Sequence, residues 1–537
     1  MYLRGERLRY LIILLIPLFL SAYTHLWNPL GFPSIHIDEA HYMRRAMLVI
    51  QGMGPQESAA SGYPRTYDHP YFGQLFLGGI LRLIGYPDIL KPESDQQSIE
   101  LLHMVPRLLM GLLAVLDTFL IFKIAERRYG LVVALIASVL FAVMPMTWIL
   151  RRVYLDTILM PFMLSSILFA IYLRDNDNLT KTAEGGKYKI SQGTLILLSG
   201  IFLGLAIYTK VPAFTMMPLV GCLVFFNSKK RLKSLGIWLI PVILIPLLWP
   251  LYSVAAGQGD LWVYWVFWQT ERNKPLSISL TNFFQIEPLI TLIGIAGLIW
   301  TGLKKDFFPL LWVAPFLIFS YFIGWVQYFH LIIIFPAFCI SSAVLIDRLQ
   351  KFLVQKFRTL QKSKVLSQIL FIALAIYGLI ISSILINSDV NNAYFKIYAS
   401  IAKNIPDISN GNEKQNGNVT VIGSHWWVWD SYWITQYVLK KDHKLIDPHF
   451  DSKFKLPITT KKVIFIDDEK FLDDISRNLK SDNLLRIRQL NNESMINSTF
   501  FDNVTSSDNG IYPNNIFSIM ILNENHPTGK VVIKRNF

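Results

Sequence analysis

The chain has 537 residues, of which 53% are hydrophobic and 14% aromatic, and its formal net charge is +14. Such a composition is too apolar for a soluble protein of this length and predicts an α-helical polytopic membrane protein. The two cysteines, Cys222 and Cys339, lie inside apolar runs, which excludes a disulfide framework or a zinc cluster. Residues 387–537 are close to neutral, so the positive excess belongs to the apolar part and does not indicate nucleic-acid binding.

About eleven apolar runs approach the length of about 20 residues that a membrane-spanning helix needs. The first has a charged start but no small-residue cleavage site, so we interpret it as a retained helix rather than a signal peptide. The predicted spans lie near residues 8–26, 103–122, 131–149, 157–173, 194–208, 212–226, 235–255, 287–303, 307–325, 330–346 and 365–386.

The distribution of Lys and Arg among the loops predicts a cytoplasmic N-terminus, because cytoplasmic loops carry the excess of these residues. An odd number of spans then places residues 387–537 outside the cytoplasm, with the cell membrane as the expected location. Within this tail, β-type patterns alternate with a helical pattern near Tyr432–Leu439, which favours a small α/β domain. The predicted strands are Val419–Gly423, Lys462–Ile466, Leu484–Ile487, Ile516–Leu522 and Val531–Lys534. We therefore divide the chain into a transmembrane domain, 1–386, and an extracytoplasmic domain, 387–537.

The first outer loop, 27–102, is long for a simple connection and carries most of the chemistry. The adjacent carboxylates Asp38 and Glu39 follow the first apolar run, and Tyr67-Asp68-His69-Pro70 precedes an amphipathic segment, Tyr71–Ile84. Ionisable groups at a bilayer boundary are costly to hold, so by default they mark a functional site. A carboxylate at this position can accept the proton of a hydroxyl nucleophile, while nearby cations hold an anionic leaving group.

These motifs resemble those of the GT-C superfamily of polyprenyl-phosphate-sugar transferases. The similarity is to the protein O-mannosyltransferases (dolichyl-phosphate-mannose-protein mannosyltransferases) and the aminoarabinose transferases. The resemblance covers roughly the first 215 residues, and its motifs are specific as an ordered set. This chain departs from the family pattern at Tyr71, Gln74 and His41, which bears on donor and acceptor details. The matching motifs are Asp38-Glu39, Tyr67–Gln74, Val105-Pro106-Arg107-Leu108 with Gly111, Arg151–Leu159 and Gly204–Lys210.

The resemblance implies an inverting transfer of mannose or another hexose from a polyprenyl- or dolichyl-phosphate donor. The acceptor is a hydroxyl on protein, lipid or glycan at the outer membrane face. Asp38 is the implied general base, with Glu39 as its catalytic neighbour. Membrane lipids are the expected surroundings, and neither a cofactor nor a divalent metal is implied. Lys210, Arg107 and His41 are the candidates for binding the donor phosphate, and Asp68, His69, Asp156 and Tyr42 are the candidates for binding substrate.

Each motif also has a structural interpretation. Asp38 and Glu39 favour a helix N-terminus, Asp68 and His69 favour a turn, and Asp156 is placed to pair with Arg151 or Arg152 at the headgroup level. Arg107 and Lys210 could reach the membrane interface as snorkelling side chains. The aromatic stretch Trp262–Trp268 is typical of an interfacial belt, with a wall for a lipid chain as the functional alternative.

Two other functions remain open. An oligosaccharyltransferase using a diphosphate-linked donor is one, because Trp426-Trp427 resembles that family's tryptophan-rich motif. Val428-Trp429 departs from that motif, however, and the first loop lacks an Asp-x-Asp metal pair. A transporter is the other, but it predicts internal repeats and charges at mid-membrane depth, and neither is clear in the sequence.

Overall fold

A computed structural model describes residues 2–56, 67–179, 190–271, 275–324, 326–356 and 362–405. In the C-terminal part it describes 419–423, 432–441, 444–446, 453–456, 462–468, 484–488, 517–522 and 531–534. The Trp426-Trp427 motif therefore lies outside the described residues.

The described part of the chain is mostly helical, as the composition predicts. Each predicted span falls on a helix or on a pair of consecutive helices. The α-helices are α1 (Tyr2–Leu26), α2 (Ile37–Ile50), α3 (Phe72–Leu83), α4 (Gln96–Tyr129), α5 (Leu131–Val143), α6 (Leu155–Leu179), α7 (Gln192–Thr209), α8 (Met217–Asn227), α9 (Arg231–Ala255), α10 (Gly259–Glu271), α11 (Leu276–Ile286), α12 (Pro288–Leu303), α13 (Phe308–Ile323), α14 (Phe335–Lys356), α15 (Lys362–Ile386) and α16 (Asn392–Asn404). The 3₁₀ helices are Asp88–Leu90, Pro145–Arg151, Val211–Met216 and Tyr328–Ile333, and a π-helical turn covers Trp433–Val438.

Six described helices are long and apolar enough to cross a membrane, or eight if each of two bent pairs forms one span. Three shorter apolar helices lie over Phe72–Leu83, Val211–Asn227 and Phe308–Ile323. Length and composition thus support fewer complete spans among the described residues than the eleven runs predicted.

One predicted span, 131–149, is broken in the structure, and another, 287–303, follows a sharp bend between α11 and α12. The run at 131–149 consists of α5 and a 3₁₀ helix that are bent by 67°, and α11 and α12 meet at 111°. A proline follows each break, at Pro145 and Pro288. Because proline has no N–H and disfavours helical geometry in the residue before it, each break falls where the sequence removes a helical hydrogen bond.

Helices α6, α7 and α9 pack in series. A side chain added at Gly200 would meet the carbonyl oxygen of Trp238, and one added at Gly204 would meet that of Pro241. Glycine therefore allows α7 and α9 to approach closely, as small residues do at helix contacts inside membranes. This packing fixes the C-terminal end of α7, where Lys210 lies.

The C-terminal part contains β1 (Val419–Gly423), β2 (Lys444–Ile446), β3 (Lys453–Leu456), β4 (Lys462–Asp468), β5 (Leu484–Arg488), β6 (Phe517–Leu522) and β7 (Val531–Lys534). Five strands form a mixed sheet in the order β2-β1-β4-β6-β5. Strand β1 runs parallel to β2 and β4, whereas β6 runs antiparallel to β4 and β5. Strands β3 and β7 form a separate antiparallel pair. The five strands predicted from sequence correspond to β1, β4, β5, β6 and β7.

The chain divides into two compact units. Unit 1 contains Met1–Pro29, Thr66–Gly73 and Leu108–Ile386, and unit 2 contains Leu30–Arg65, Gln74–Arg107 and Asn387–Phe537. The predicted boundary after residue 386 coincides with a boundary between the units. Most of the first outer loop, however, groups with the C-terminal residues, whereas the sequence analysis assigned it to the transmembrane domain.

Candidate active site

The candidate residues fall in both compact units, and each group is described here within its own unit. In unit 2, the acidic pair lies in the first turn of α2. His36 is the N-cap residue, and its Nδ1 accepts a hydrogen bond from the Asp38 N–H at 3.3 Å. Glu39 reaches back to accept from the His36 N–H at 3.1 Å. This reciprocal arrangement is a capping box, so the capping role considered for both carboxylates belongs to Glu39.

Glu39 also forms a buried ion pair with Arg107. The guanidinium donates from Nε to Oε2 at 3.0 Å and from Nη2 to Oε1 at 2.6 Å, and its Nη1 donates to the Pro33 carbonyl at 2.9 Å. Both side chains are buried. The paired, parallel geometry is the strongest form of this interaction and fixes the orientation of both groups. Arg107 therefore holds the loop and the start of α2 in place. These contacts use the guanidinium N–H groups that would otherwise donate to a phosphate.

Asp38 differs sharply from its neighbour. Its side chain is 37% exposed, and its nearest ionisable contact is His36 Nδ1, at 3.7 Å from Oδ2. Because capping and ion pairing both fall to Glu39, the Asp38 carboxylate keeps access to solvent. An exposed carboxylate held at a helix start can accept a proton from an incoming hydroxyl.

The remaining candidates on α2 lie close to a cluster of cations. His41 Nδ1 is 2.9 Å from Arg44 Nη2, and the rings of His41 and Tyr42 pack edge to face at 5.7 Å. A guanidinium only donates hydrogen bonds, so Nδ1 of His41 is the acceptor. The phosphate-binding candidate His41 therefore lies against the guanidinium of Arg44. Arg44 and Arg45 are both fully buried. The sequence analysis missed them, although two adjacent arginines one to two turns after the acidic pair are a readable signal.

In unit 1, Lys210 and Asp156 form a second buried ion pair. Lys210 Nζ donates to Asp156 Oδ2 at 2.6 Å, and the two residues are 5% and 1% exposed. Lys210 lies directly after α7, and Asp156 lies in the first turn of α6. The second oxygen, Oδ1, is buried and has no hydrogen-bond partner within the described residues. Asp156 thus pairs with Lys210 rather than with Arg151 or Arg152.

The two arginines before Asp156 have other contacts. Arg151 donates to the carbonyl groups of Thr24, Trp27 and Asn28, and so fixes the end of α1. Arg152 donates to the Tyr154 hydroxyl at 3.0 Å and lies over the Trp148 ring.

Aromatic rings connect this arginine segment to the ion pair. Tyr154 packs on Phe329, and the Lys210 ammonium lies 5.8 Å from the centre of the Phe329 ring. Phe329 follows α13 in the chain, and the sequence analysis did not single it out. Unit 1 therefore surrounds Lys210 with a carboxylate on one side and an aromatic ring on another.

Asp68 and His69 lie in unit 1, beside a tyrosine and tryptophan cluster. Asp68 Oδ2 is 3.7 Å from His69 Nε2, and the Asp68 carbonyl accepts from Gln269 Nε2 at 3.3 Å. The cluster is formed by Tyr67, Tyr71, Tyr208 and Trp249, with Trp262 and Trp265 of α10 packed against it. Within the described ranges, no group of three or more His, Cys, Asp or Glu residues is arranged to hold a metal ion.

Part of the chain is similar in sequence to a known family. Residues 62–257 match the model of the dolichyl-phosphate-mannose-protein mannosyltransferase family. The matched region includes Asp68, Arg107, Asp156 and Lys210 but begins after Asp38. No curated protein matches the chain in sequence at a significant level.

Solved structures share the fold at low sequence identity. The oligosaccharyltransferase AglB from Archaeoglobus fulgidus, in complex with an inhibitory peptide and a dolichol-phosphate, aligns with a TM-score of 0.54 and 12% identity, covering 88% of this chain and 70% of that one. ArnT from Cupriavidus metallidurans in the apo state aligns with a TM-score of 0.52 and 13% identity, covering 97% of this chain and 98% of that one. The same enzyme bound to undecaprenyl phosphate gives a TM-score of 0.50 and 13% identity over 96% of this chain and 98% of that one.

Proposed function

We propose, from the premise that this chain is a multi-pass membrane glycosyltransferase of the GT-C superfamily, that it transfers a sugar from a polyprenyl-phosphate donor to a hydroxyl acceptor with inversion. The main observation behind this proposal is that two adjacent carboxylates differ in burial and in pairing. Glu39 is buried in the pair with Arg107, whereas Asp38 is 37% exposed at the start of the same helix. One positioned base is sufficient for a direct displacement.

The reaction that follows is balanced in atoms and charge. Asp38 accepts the proton of the acceptor hydroxyl while the hydroxyl oxygen forms a bond to the anomeric carbon. The bond between that carbon and the phosphate oxygen breaks, and its electron pair stays on the phosphate. A phosphodiester with one negative charge thus becomes a phosphate monoester with a second negative charge, and the proton held by Asp38 passes to solvent. No covalent sugar-enzyme intermediate is needed.

Lys210 is the proposed ligand of the donor phosphate. Among the described residues, Asp156 accepts the one hydrogen bond that this lysine donates at its helix end, which leaves the ammonium two further donors. A compact ammonium interacts with phosphate as a point charge and needs no metal ion. Arg107 acts as a positioning residue for the loop. The cationic role considered for His41 passes to Arg44 beside it.

The remaining assignments concern substrate and topology. We assign Asp68, His69, Asp156 and Tyr42 to the surroundings of the substrates. A hexose such as mannose fits the family match, and the acceptor hydroxyl belongs to a protein, a lipid or a glycan. The excess of Lys and Arg in alternate loops supports a cytoplasmic N-terminus and transfer at the outer face of the cell membrane.

A diphosphate-linked donor is the competing proposal, because AglB is an oligosaccharyltransferase and shares the fold. The test is release of free polyprenyl phosphate or polyprenyl diphosphate by the purified protein in detergent from a panel of polyprenyl-phosphate and polyprenyl-diphosphate sugars, with and without a chelator. We expect release from one donor, unchanged by the chelator. Release only from polyprenyl-diphosphate sugars, or only with added divalent metal, would replace the proposal by the oligosaccharyltransferase type.

The matched variant is Asp38→Asn, which keeps the shape of the side chain but removes its basicity. General-base catalysis contributes about 10²–10⁴-fold, so turnover is expected to fall by at least about 100-fold while thermal stability and donor binding remain. If Asp38→Asn retained more than a few per cent of wild-type turnover, the base would have to be reassigned to Glu39 or Asp68.

A further inference from the structure

The ion pair between Asp156 and Lys210 has a property that phosphate binding alone does not require. A lysine that only binds a phosphate does not need a carboxylate partner, yet here Lys210 Nζ donates a hydrogen bond to Asp156 Oδ2 at 2.6 Å. Both residues are almost completely buried, and the Asp156 oxygen Oδ1 has no hydrogen-bond partner in the described part of the chain. A buried carboxylate with one oxygen unsatisfied is costly to keep. Its position therefore calls for an account beyond packing.

The charge of Asp156 is stabilised locally. Asp156 lies in the first turn of α6, where the helix N-terminus favours a negative group. Lys210 lies at the C-terminal end of α7, where a positive group is favoured. The charged groups of the elements that pack against this turn are Lys210 after α7, and Arg151 and Arg152 before α6, with His330 beside Phe329 in the 3₁₀ helix Tyr328–Ile333. Arg151 is engaged by the carbonyl groups at the end of α1.

Negative charge accumulates as the proposed reaction proceeds. The donor phosphodiester carries one negative charge, and the released monoester carries two once its second ionisation, at about pH 6, is complete. Any phosphate held by Lys210 lies near the carboxylate that shares this lysine. Repulsion from Asp156 therefore acts on both ligands but is about twice as large for the product.

We propose that Asp156 is a specificity-determining residue that distinguishes the sugar-bearing phosphodiester from the phosphate monoester product and promotes product release. The inference rests on the proposed function, because it assumes that Lys210 binds the phosphate. Asp156 weakens donor binding slightly and product binding more, so the spent lipid phosphate does not block the site. The pair with Lys210 also keeps the lysine ordered between turnovers.

The test measures equilibrium binding of undecaprenyl phosphate and of its sugar diester. Both are measured with Asp38→Asn and with Asp38→Asn/Asp156→Asn, because loss of the base prevents turnover during the measurement. Because the product carries one more negative charge near Asp156 than the donor does, at about pH 8 product affinity is expected to rise about tenfold more than donor affinity. At about pH 5, where the product has one charge, the two ligands are expected to respond alike.

Equal changes for both ligands at both pH values would overturn the inference, because a merely structural role of Asp156 moves both affinities together. His330 is present in both variants, so its contribution is common to both sets of affinities. If the Asp156→Asn variant does not fold, Asp156→Ser, which also removes the charge, replaces it in the same measurement of the two affinities. An unchanged ratio of the two affinities would contradict the proposal.

The experiment distinguishes a failure of the proposed function from a failure of the role proposed for Asp156. If the protein binds neither ligand and releases no polyprenyl phosphate, the proposed function fails. If donor binding and release occur but Asp156→Asn leaves the ratio of affinities unchanged, only the role of Asp156 fails. Asp156→Glu is the matched control, because it keeps the charge and should keep the preference for the diester.

Discussion

The two buried ion pairs of this protein differ in how completely their carboxylates are satisfied. In unit 2, both oxygens of Glu39 accept hydrogen bonds from the Arg107 fork, and one of them also caps α2. In unit 1, one oxygen of Asp156 accepts from Lys210, and the other has no hydrogen-bond partner among the described residues. The first pair has the geometry of a fixed structural element. The second has the geometry of a pair that can exchange a partner.

The cations of the two pairs, Arg107 and Lys210, also differ in how rigidly they hold their partner. A guanidinium has a rigid planar fork and cannot lose its proton, whereas an ammonium is a compact charge on a flexible stem. The arginine is therefore suited to hold a loop in one geometry, and the lysine is suited to move between a carboxylate and a phosphate. This contrast also explains why Asp38, next to the fixed pair, is the carboxylate that remains accessible for chemistry.

The largest effect on stability is expected from Glu39→Gln. The substitution leaves the buried Arg107 guanidinium without its carboxylate, and breaking such a pair typically costs about 3–5 kcal/mol. Thermal unfolding in detergent should show a clear drop in Tm, together with loss of activity because the start of α2 shifts. The double variant Glu39→Met/Arg107→Met is expected to recover much of the stability, since apolar replacements of a buried pair are often tolerated. A single variant as stable as the wild type would remove the distinction drawn between the two pairs.

A smaller effect on stability but a specific effect on binding is expected from Lys210→Met. This variant leaves the Asp156 carboxylate at a helix N-terminus, which favours negative charge, whereas Glu39→Gln leaves a buried guanidinium, so Lys210→Met should unfold at a higher temperature than Glu39→Gln. A hydrogen bond to a charged group contributes about 1.5–3 kcal/mol, so the KM for the donor is expected to rise about 10- to 100-fold. Lys210→Arg is the control that keeps the charge. An unchanged donor KM in Lys210→Met would assign the phosphate to another cation.

The helical part of the fold could be predicted from the sequence because apolar runs of sufficient length are a local property. All the predicted spans fall on helices, and strands β1, β4, β5, β6 and β7 were located within a few residues. The break at Pro145 was not predicted, since apolar character continues across it, and neither was helix α11, which meets α12 at the second bend. One contact at these breaks is tertiary: the Glu287 carboxylate accepts a hydrogen bond from the Met146 N–H at 2.5 Å. The pattern of apolar residues along the chain cannot predict such a contact.

The residues of the candidate site were easier to find than their division of roles. Asp38 and Glu39 are equivalent in the sequence, and what separates them is Arg107, 68 positions away. Lys210 and Asp156 were both singled out, but their pairing joins residues 54 positions apart. Phe329 was missed because a packed aromatic ring looks ordinary in a sequence, whereas Arg44 and Arg45 were missed although their adjacency after the acidic pair is a signal. Long-range pairing, rather than residue type, decides which group is fixed and which is accessible.

The smallest effect is expected from Asp95→Ala, which provides a surface reference for the buried pairs. Asp95 precedes α4 and accepts from the Ser98 N–H at 3.0 Å and from the Ser98 hydroxyl at 2.7 Å. These hydrogen bonds, that of the hydroxyl first, hold the pKa of Asp95 below its usual value of 3.8. Loss of such a cap costs about 1 kcal/mol, well below the cost expected for Glu39→Gln. Because the pKa is lowered in the folded state, the stabilisation is complete above the usual value and is lost as the pH falls through the folded one. The Tm values of Asp95→Ala and wild type should therefore differ at neutral pH and converge in acid, and a constant difference across this range would show that the cap acts without its charge.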